Sequence, residues 1–306
     1  MPGRLLLLDS ASLYFRAFFG VPDSLKAPDG TVVNAVRGML DFVATLAVQY
    51  RPDAIVAAWD DDWRPAWRVD LIPSYKAHRV VEVTSAGVSE EEVPDLLSPQ
   101  VPVIAEALTM LGIPVVGAEG AEADDIIGSL ARLWEGPVDI VTGDRDLFQL
   151  IDDGHPTRVL YTARGVGNHD VVDAAWIRGK YAIEPSQYVD FAVMRGDASD
   201  GLPGVPGIGE KTAASLLATY RDLDGIEAAA ADPASDLRPR IRQSLLDSRE
   251  YIKAARTVVA VREDAATVDA VVPLAPLTSD ASDAFAAFGT TWGLGGVPAR
   301  VIAALG

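Results

Sequence analysis

The sequence predicts an α/β fold: a mostly parallel sheet with helices on both faces, followed by a smaller helical part. Three observations predict it. Short apolar runs (Leu5–Leu8, Ala54–Trp59, Ile113–Val116, Val138–Val141 and Val159–Tyr161) alternate with stretches of helical period such as Val36–Gln49 and Asp124–Trp134. That alternation is the pattern of parallel strands buried on both faces. Three of the runs end in acid, as Leu8-Asp9, Trp59-Asp60 and Val141-Thr142-Gly143-Asp144, and open parallel sheets bind their ligands at these strand ends. After about Gly167 the pattern turns mostly helical, through Ile226–Ala231 and Tyr251–Val261 to a Gly-rich stretch at Gly293–Gly296.

The first run stops at Asp9, too soon for the apolar segment of a signal peptide, so Met1 to Ser10 reads as a buried first strand. No stretch of the 306 residues approaches the ~20 apolar residues of a membrane span. The absence of cysteine removes disulfides, thiolate zinc sites and a Cys nucleophile, and suits a reducing cytoplasm. Three histidines (His78, His155 and His169) exclude a His-rich metal site. With 26 Lys and Arg against 44 Asp and Glu, the net charge of −18 argues against an anionic partner unless many acids gather at one spot.

Between the second strand and an acidic stretch lies WDDDWRPAWRVDLIPSYKAHR, where the spacing places Lys76 and Arg79 on one helix face, with Arg68 nearby. The basic cluster is either a solvated face of surface ion pairs or a phosphate clamp. Residues from Val80 to Gln100 are polar and acidic, with Pro94 and Pro99, and read as a mobile insertion. In GAEGAEADDIIGSLARLW the helix is expected from about Ala121, with Glu122 and Asp125 one turn apart and Asp124 between them. First-turn acids often complement the helix dipole alone, but three within four residues after a strand exceed that need. VTGDRD adds Asp144 and Asp146, and MRGDASDGLPG adds Asp197 and Asp200.

With Asp9 and Asp60, these make nine acids at five chain positions. Converging, they would repel one another and raise their pKa values unless cations intervene. Oxygen ligands without His or Cys select Mg²⁺ or Mn²⁺, and two such ions can clamp a phosphodiester. Gly201-Leu-Pro-Gly-Val-Pro-Gly-Ile-Gly-Glu-Lys-Thr-Ala213 is the most specific segment. Its Gly207–Gly209 hairpin leads into a helix near Glu210, a helix-hairpin-helix signature whose free N–H groups suit phosphates.

Taken together, LLLLDS, WD followed by WR-x6-YKAHR, GAEGAEADD, VTGDRD and GDASDGLPGVPGIGEKTA resemble the 5′-nuclease family. That family comprises flap endonucleases and the N-terminal exonuclease domain of bacterial DNA polymerase I, and the similarity covers almost the whole chain. The resemblance implies a PIN-like sheet with a helical arch insertion (about 68–100) in a metal-binding nuclease core at 1–166. A helix-hairpin-helix DNA-binding domain would fill 167–306. It implies a metal site with Asp9, Asp60, Glu122, Asp124 and Asp125 in a nearer lobe and Asp144, Asp146, Asp197 and Asp200 in a farther one. Lys76 and Arg79 would be catalytic. Arg68, Tyr75, Gly207, Gly209, Lys211 and Thr212 would contact DNA, and the Val205 and Ile208 carbonyls would hold K⁺.

The implied activity is Mg²⁺- or Mn²⁺-dependent hydrolysis of 5′ flaps, recessed 5′ ends and RNA–DNA hybrid ends, leaving a 5′-phosphate and a 3′-hydroxyl. Its implied role is primer and flap removal in replication and repair, by a free-standing monomer in the cytoplasm. Three features depart from the family pattern. Gly201 stands where relatives usually carry Asn, implying a looser turn; Asp61 and Asp62 add acid beside the site; and the arch is Glu-rich at Glu90, Glu91 and Glu92. A flap-binding scaffold without turnover is the alternative, marked by a missing acid, and none is missing. A Toprim-type enzyme leaves Asp9, Asp60 and the hairpin unexplained. A HAD-type phosphatase needs small residues where Trp63-Arg64 follow Asp62.

Overall fold

Leu5 to Leu8 are all fully buried because β1 (Leu5–Asp9) runs through the centre of a sheet covered on both sides. Leu5 and Leu7 enter one core and Leu6 and Leu8 the other, so the run needs no polar alternation. The computed structural model describes residues 3–83, 89–91 and 93–306. Among these, β1, β2 (Ala54–Ala58), β5 (Val115–Val116), β6 (Val138–Thr142), β7 (Thr157–Tyr161) and β8 (Asp170–Val172) form one sheet in the order β5-β2-β1-β6-β7-β8. All its neighbours are parallel except β7 and β8.

One face is covered by α1 (Ser10–Gly20), α2 (Asn34–Tyr50) and α4 (Gln100–Met110). The other carries α5 (Ala123–Leu133) and a helical layer of α6 (Ala174–Tyr181), α7 (Tyr188–Arg195), α8 (Glu210–Tyr220), α9 (Leu223–Ala231), α10 (Pro239–Asp247) and α11 (Arg249–Val259). The boundary expected at 166/167 falls inside the sheet, since β8 still pairs with β7. The chain also returns: α12 (Ser279–Thr291) and α13 (Val297–Leu305) bury Phe285, Phe288, Val297 and Val301 in the α1–α2–α4 core.

Two local expectations are corrected. Helix α3 (Ala66–Leu71) stops before Pro73, which forces Ile72 into extended backbone. Lys76 and Arg79 therefore lie on a tight turn and one 3₁₀ turn, Ala77–Arg79, and not on a helix face; Lys76 is left-handed at φ 47°. Where a helical arch was expected, β3 (Val80–Val83) pairs antiparallel with β4 (Ser89–Glu91), in keeping with the β-branched Val80, Val81 and Val83. The remainder of that insertion's tip, 84–88 and Glu92, lies outside the described residues. Among the described residues, no helix is long and apolar enough to cross a membrane.

Candidate active site

The carboxyl edge of the sheet opens into a cleft of about 450 Å³, lined by Asp9, Asp60, Glu122, Asp124, Asp144 and Asp197, with Lys76 and Arg79. Strand ends deliver the first acids. Asp9 caps α1, accepting from Ser12 N–H at 3.1 Å and from the Thr142 hydroxyl at 2.6 Å. Asp60, just past β2, accepts the Ala123 N–H at 2.8 Å and so ties that strand to the start of α5. Asp144 accepts the Asp146 N–H at 2.9 Å. Asp197 accepts the Ser199 N–H at 2.8 Å and pairs with Arg195 at 3.4 Å.

Burial dominates the electrostatics. It pushes the Asp9 carboxyl up to about 7, with Asp60 and Asp144 adding repulsion. Burial, then the charge of Asp144, holds both Asp124 and Asp146 well above the usual carboxylate range. Asp60 is also raised by burial, against the pull of Lys76. Burial raises Asp197 too, but the Ser199 hydrogen bonds and the charges of Arg195 and Arg145 outweigh it and hold this acid low. For Lys76, burial is outweighed by Glu122, so the ammonium stays charged and bonds to the Glu122 carboxylate.

Asp125, Asp146 and Asp200 do not line the cleft. Asp125 is a correction to the expected ligand set. Its Oδ1 accepts from Arg68 Nη2 at 2.7 Å and Arg262 N–H at 2.9 Å. Its Oδ2 accepts from Arg68 Nη1 at 2.9 Å and Glu122 N–H at 3.1 Å, which fills its acceptor sites. Arg68 is corrected with it. At 2% exposed it cannot meet a phosphate; it also bonds Glu122 Oε1 at 3.0 Å and Val258 O at 3.2 Å. Tyr75, also buried at 4% exposed, donates to Glu122 Oε1 at 2.8 Å instead of facing DNA. Asp200 pairs with Arg79 at 2.9 Å, and burial pushes it up to about 6.

The hairpin is placed as expected on the surface. Gly207, at φ 81°, and Gly209 have open space around them, and Lys211 is exposed at the start of α8, with Thr212 half-buried beside it. Val205 and Ile208 are buried, and Val205 O already accepts the Ile208 N–H at 2.9 Å. Gly201 does not loosen its turn: at φ 70° it packs so closely that a Cβ would stand 2.0 Å from Ser74 O. Asp61 and Asp62 lie outside the cleft lining, whereas Glu91, Ser12, Phe15, Arg145 and Tyr161 join it. Ser12 and Phe15 could have been found, because they follow Asp9 at helical spacing along α1.

The donor set fits hard divalent cations. It is all oxygen, burial and repulsion hold Asp9, Asp124 and Asp146 high in pKa, and the buried Asp146 Oδ1 has no hydrogen-bond partner among the described residues. As placed, no three acids among the described residues converge on a common point. Glu122 is drawn to Arg68, Tyr75 and Lys76.

Residues 4–182 match the 5′-3′ exonuclease N-terminal resolvase-like domain, and residues 183–281 match the 5′-3′ exonuclease C-terminal SAM fold. The chain is 56% identical to a 5′-3′ exonuclease of Streptomyces coelicolor, over 98% of this chain and 99% of that protein. It is 47% identical to a 5′-3′ exonuclease of Mycobacterium tuberculosis, over 100% of this chain and 98% of that one. In fold it is similar to the T5 D15 protein co-crystallized with metal ions, at a TM-score of 0.64 and 17% identity, covering 98% of this chain and 99% of that one. The catalytic core of Rad2 in complex with a DNA substrate gives a TM-score of 0.64 at 17% identity, covering 99% of this chain and 93% of that chain.

Proposed function

The chain belongs to the 5′-3′ exonuclease family, and on that premise we propose that its cleft hydrolyses phosphodiester bonds at recessed 5′ ends and 5′ flaps of DNA. The products would be a 5′-phosphate and a 3′-hydroxyl. RNA–DNA hybrid ends fall within the same chemistry, and removal of primers and flaps in replication and repair is the role that follows. The single observation that carries this reading is the gathering of six acids at the sheet edge beside the charged Lys76, with Asp9, Asp60 and Asp124 among them raised in pKa by burial.

Asp9, Asp60, Glu122, Asp124, Asp144 and Asp197 would hold Mg²⁺ or Mn²⁺, and Asp146 and Asp200, outside the lining, feel the charge of Asp144. Bound there, the ions supply Lewis acidity and lower the pKa of water. The chain's own residues do the rest. Lys76 and Arg79, with Arg145, carry positive charge that faces the cleft; Lys76 and Arg79 attract the scissile phosphate and stabilise the charge it gains. Glu122 and the Trp63 carbonyl, which accepts from Nζ at 3.3 Å, position the Lys76 ammonium. Arg68 and Tyr75 orient Glu122 from behind and touch no substrate.

Gly207, Gly209, Lys211 and Thr212 grip duplex phosphates without reading sequence, and the Val205 and Ile208 carbonyls are the candidate K⁺ ligands. We place the protein in the cytoplasm as a monomer. The test is cleavage of a 5′-labelled flap duplex in Mg²⁺ or Mn²⁺ beside an EDTA control. Metal-dependent cutting near the junction is expected. Tight flap binding with no cutting in either metal would overturn the enzyme reading in favour of a scaffold.

A further inference from the structure

We propose that Gly201 is a positioning residue whose missing side chain lets the 199–201 turn mould the turn that carries Lys76 and Arg79; the inference rests on the hydrolytic reading above. Lys76 is left-handed at φ 47°, a conformation that costs a non-glycine residue roughly 1 kcal/mol. Its backbone alone does not hold it there. The Lys76 N–H donates to Asp200 O at 2.9 Å, and Ser74 Oγ donates to Gly201 O at 2.8 Å. Arg79 Nη2 donates to Ser199 O at 2.7 Å and to Asp200 Oδ1 at 2.9 Å. Three consecutive residues from one part of the chain thus template both cations of another.

The contact depends on glycine for two separable reasons. Gly201 itself sits at φ 70°, and an added Cβ would lie 2.0 Å from Ser74 O and 3.4 Å from Lys76 N. Asn tolerates the left-handed region and could satisfy the first requirement. It cannot satisfy the second, because the obstructing atom is backbone. With residues 74–76 docked as closely as they are in this chain, a side chain at 201 must push them away and carry Lys76 off the Glu122 carboxylate, so the Asn usual at this position in the family needs that turn seated farther off; displacements of about 1 Å at a reacting centre cost on the order of 100-fold.

The experiment measures kcat, KM and melting temperature for Gly201→Ala, Gly201→Asn and Ser74→Ala, in the wild-type and Lys76→Ala backgrounds. Gly201→Ala and Gly201→Asn should each lower kcat at least about 30-fold while KM moves less than about threefold. In the Lys76→Ala background the further loss should be under about twofold, because the group being positioned is already gone. Should Gly201→Ala fail to fold, Ser74→Ala keeps the test alive, with an expected kcat loss of about threefold that also vanishes without Lys76. Full activity of Gly201→Asn would overturn the proposal, since it would reduce the glycine to a local turn requirement. So would equal losses in both backgrounds. Acetylation of Lys76, followed by mass spectrometry, should accelerate several-fold in Gly201→Ala while Lys211 labels at its wild-type rate. If the wild type does not cleave at all, the proposed function fails, and this labelling ratio alone decides the inference.

Discussion

Asp124 and Asp125 are neighbours in the first turn of α5, yet they live in opposite electrostatic conditions. Asp125 faces inward, fully buried, with every acceptor site filled by Arg68, Arg262 N–H and Glu122 N–H. Asp124 faces the cleft, and burial and its neighbours Asp144 and Asp9 hold its carboxyl far above the usual range. One acid has been given its cation by the chain. Among the described residues the other pairs directly with none, although the charge of Lys76 reaches it, and Asp9 and Asp146 are likewise raised. On the proposed function, a protein that supplies a buried arginine to one carboxylate and not to the next would leave the second for a charge from outside.

Substitution of the two neighbours offers the largest break in that contrast. Asp124→Asn should lower cleavage by about 10²- to 10³-fold while the melting temperature holds or rises, because a repelled charge is removed. Asp125→Asn should instead cost about 3 kcal/mol of stability, since it strips one partner from a buried ion pair. Its cleavage at low temperature should stay within about tenfold of wild type. Thermal melts and single-turnover cleavage of both variants decide it. Loss of activity in Asp125→Asn at an unchanged melting temperature would restore Asp125 to the ligand set and remove the distinction.

Acidity sharpens the same comparison more gently. Asp9, pushed up to about 7, and Asp200, pushed up to about 6, bind protons in the folded state that an unfolded aspartate releases near 4. Between those values the native state holds more protons than the unfolded one. In EDTA, stability must then fall as pH rises from about 5 to 8, by on the order of a few kcal/mol. Mg²⁺ or Mn²⁺ should recover that loss at pH 8 and do little at pH 5, where the carboxyls are protonated. Calorimetry at the two pH values, with and without metal, measures it. A melting temperature that rises with pH in EDTA would show that the cleft acids are not frustrated.

Much of this was legible in the sequence, and the remainder was hidden for identifiable reasons. Asp9, Asp60 and Asp144 could be placed because each ends an apolar run, and a parallel sheet sends all such ends to one edge. The choice between Asp124 and Asp125 could not be made, because both lie in the first turn and burial depends on Arg68, one of whose further partners, Val258, is remote in sequence. For the same reason a buried guanidinium read as a phosphate contact. The return of α12 and α13 to the first layer, and the docking of residues 199–201 on 74–79, are long-range contacts without a local signature. The strand pairing at Val80–Val83 did have one, in its β-branched valines, but acidity and proline nearby outweighed it in the reading.

Tyr75 gives the smallest effect and the finest test, because it lies between the two conditions. Its hydroxyl donates to Glu122 Oε1 at 2.8 Å, and Glu122 is shared: Arg68 holds it from the buried side while its other oxygen meets Lys76 in the cleft. Tyr75→Phe removes that one donor and keeps the ring, which stays packed among buried residues. A hydrogen bond to a charged group contributes roughly 1.5–3 kcal/mol, and Arg68 remains to satisfy Oε1, so the lower end applies. The melting temperature should drop by a few degrees, and kcat by several-fold as Glu122 gains freedom to swing from Lys76. KM and the salt dependence of flap binding should not move. If Tyr75 met the DNA instead, those last two quantities would change at constant melting temperature. The pattern of the four readouts thus states which side of Glu122 the tyrosine serves.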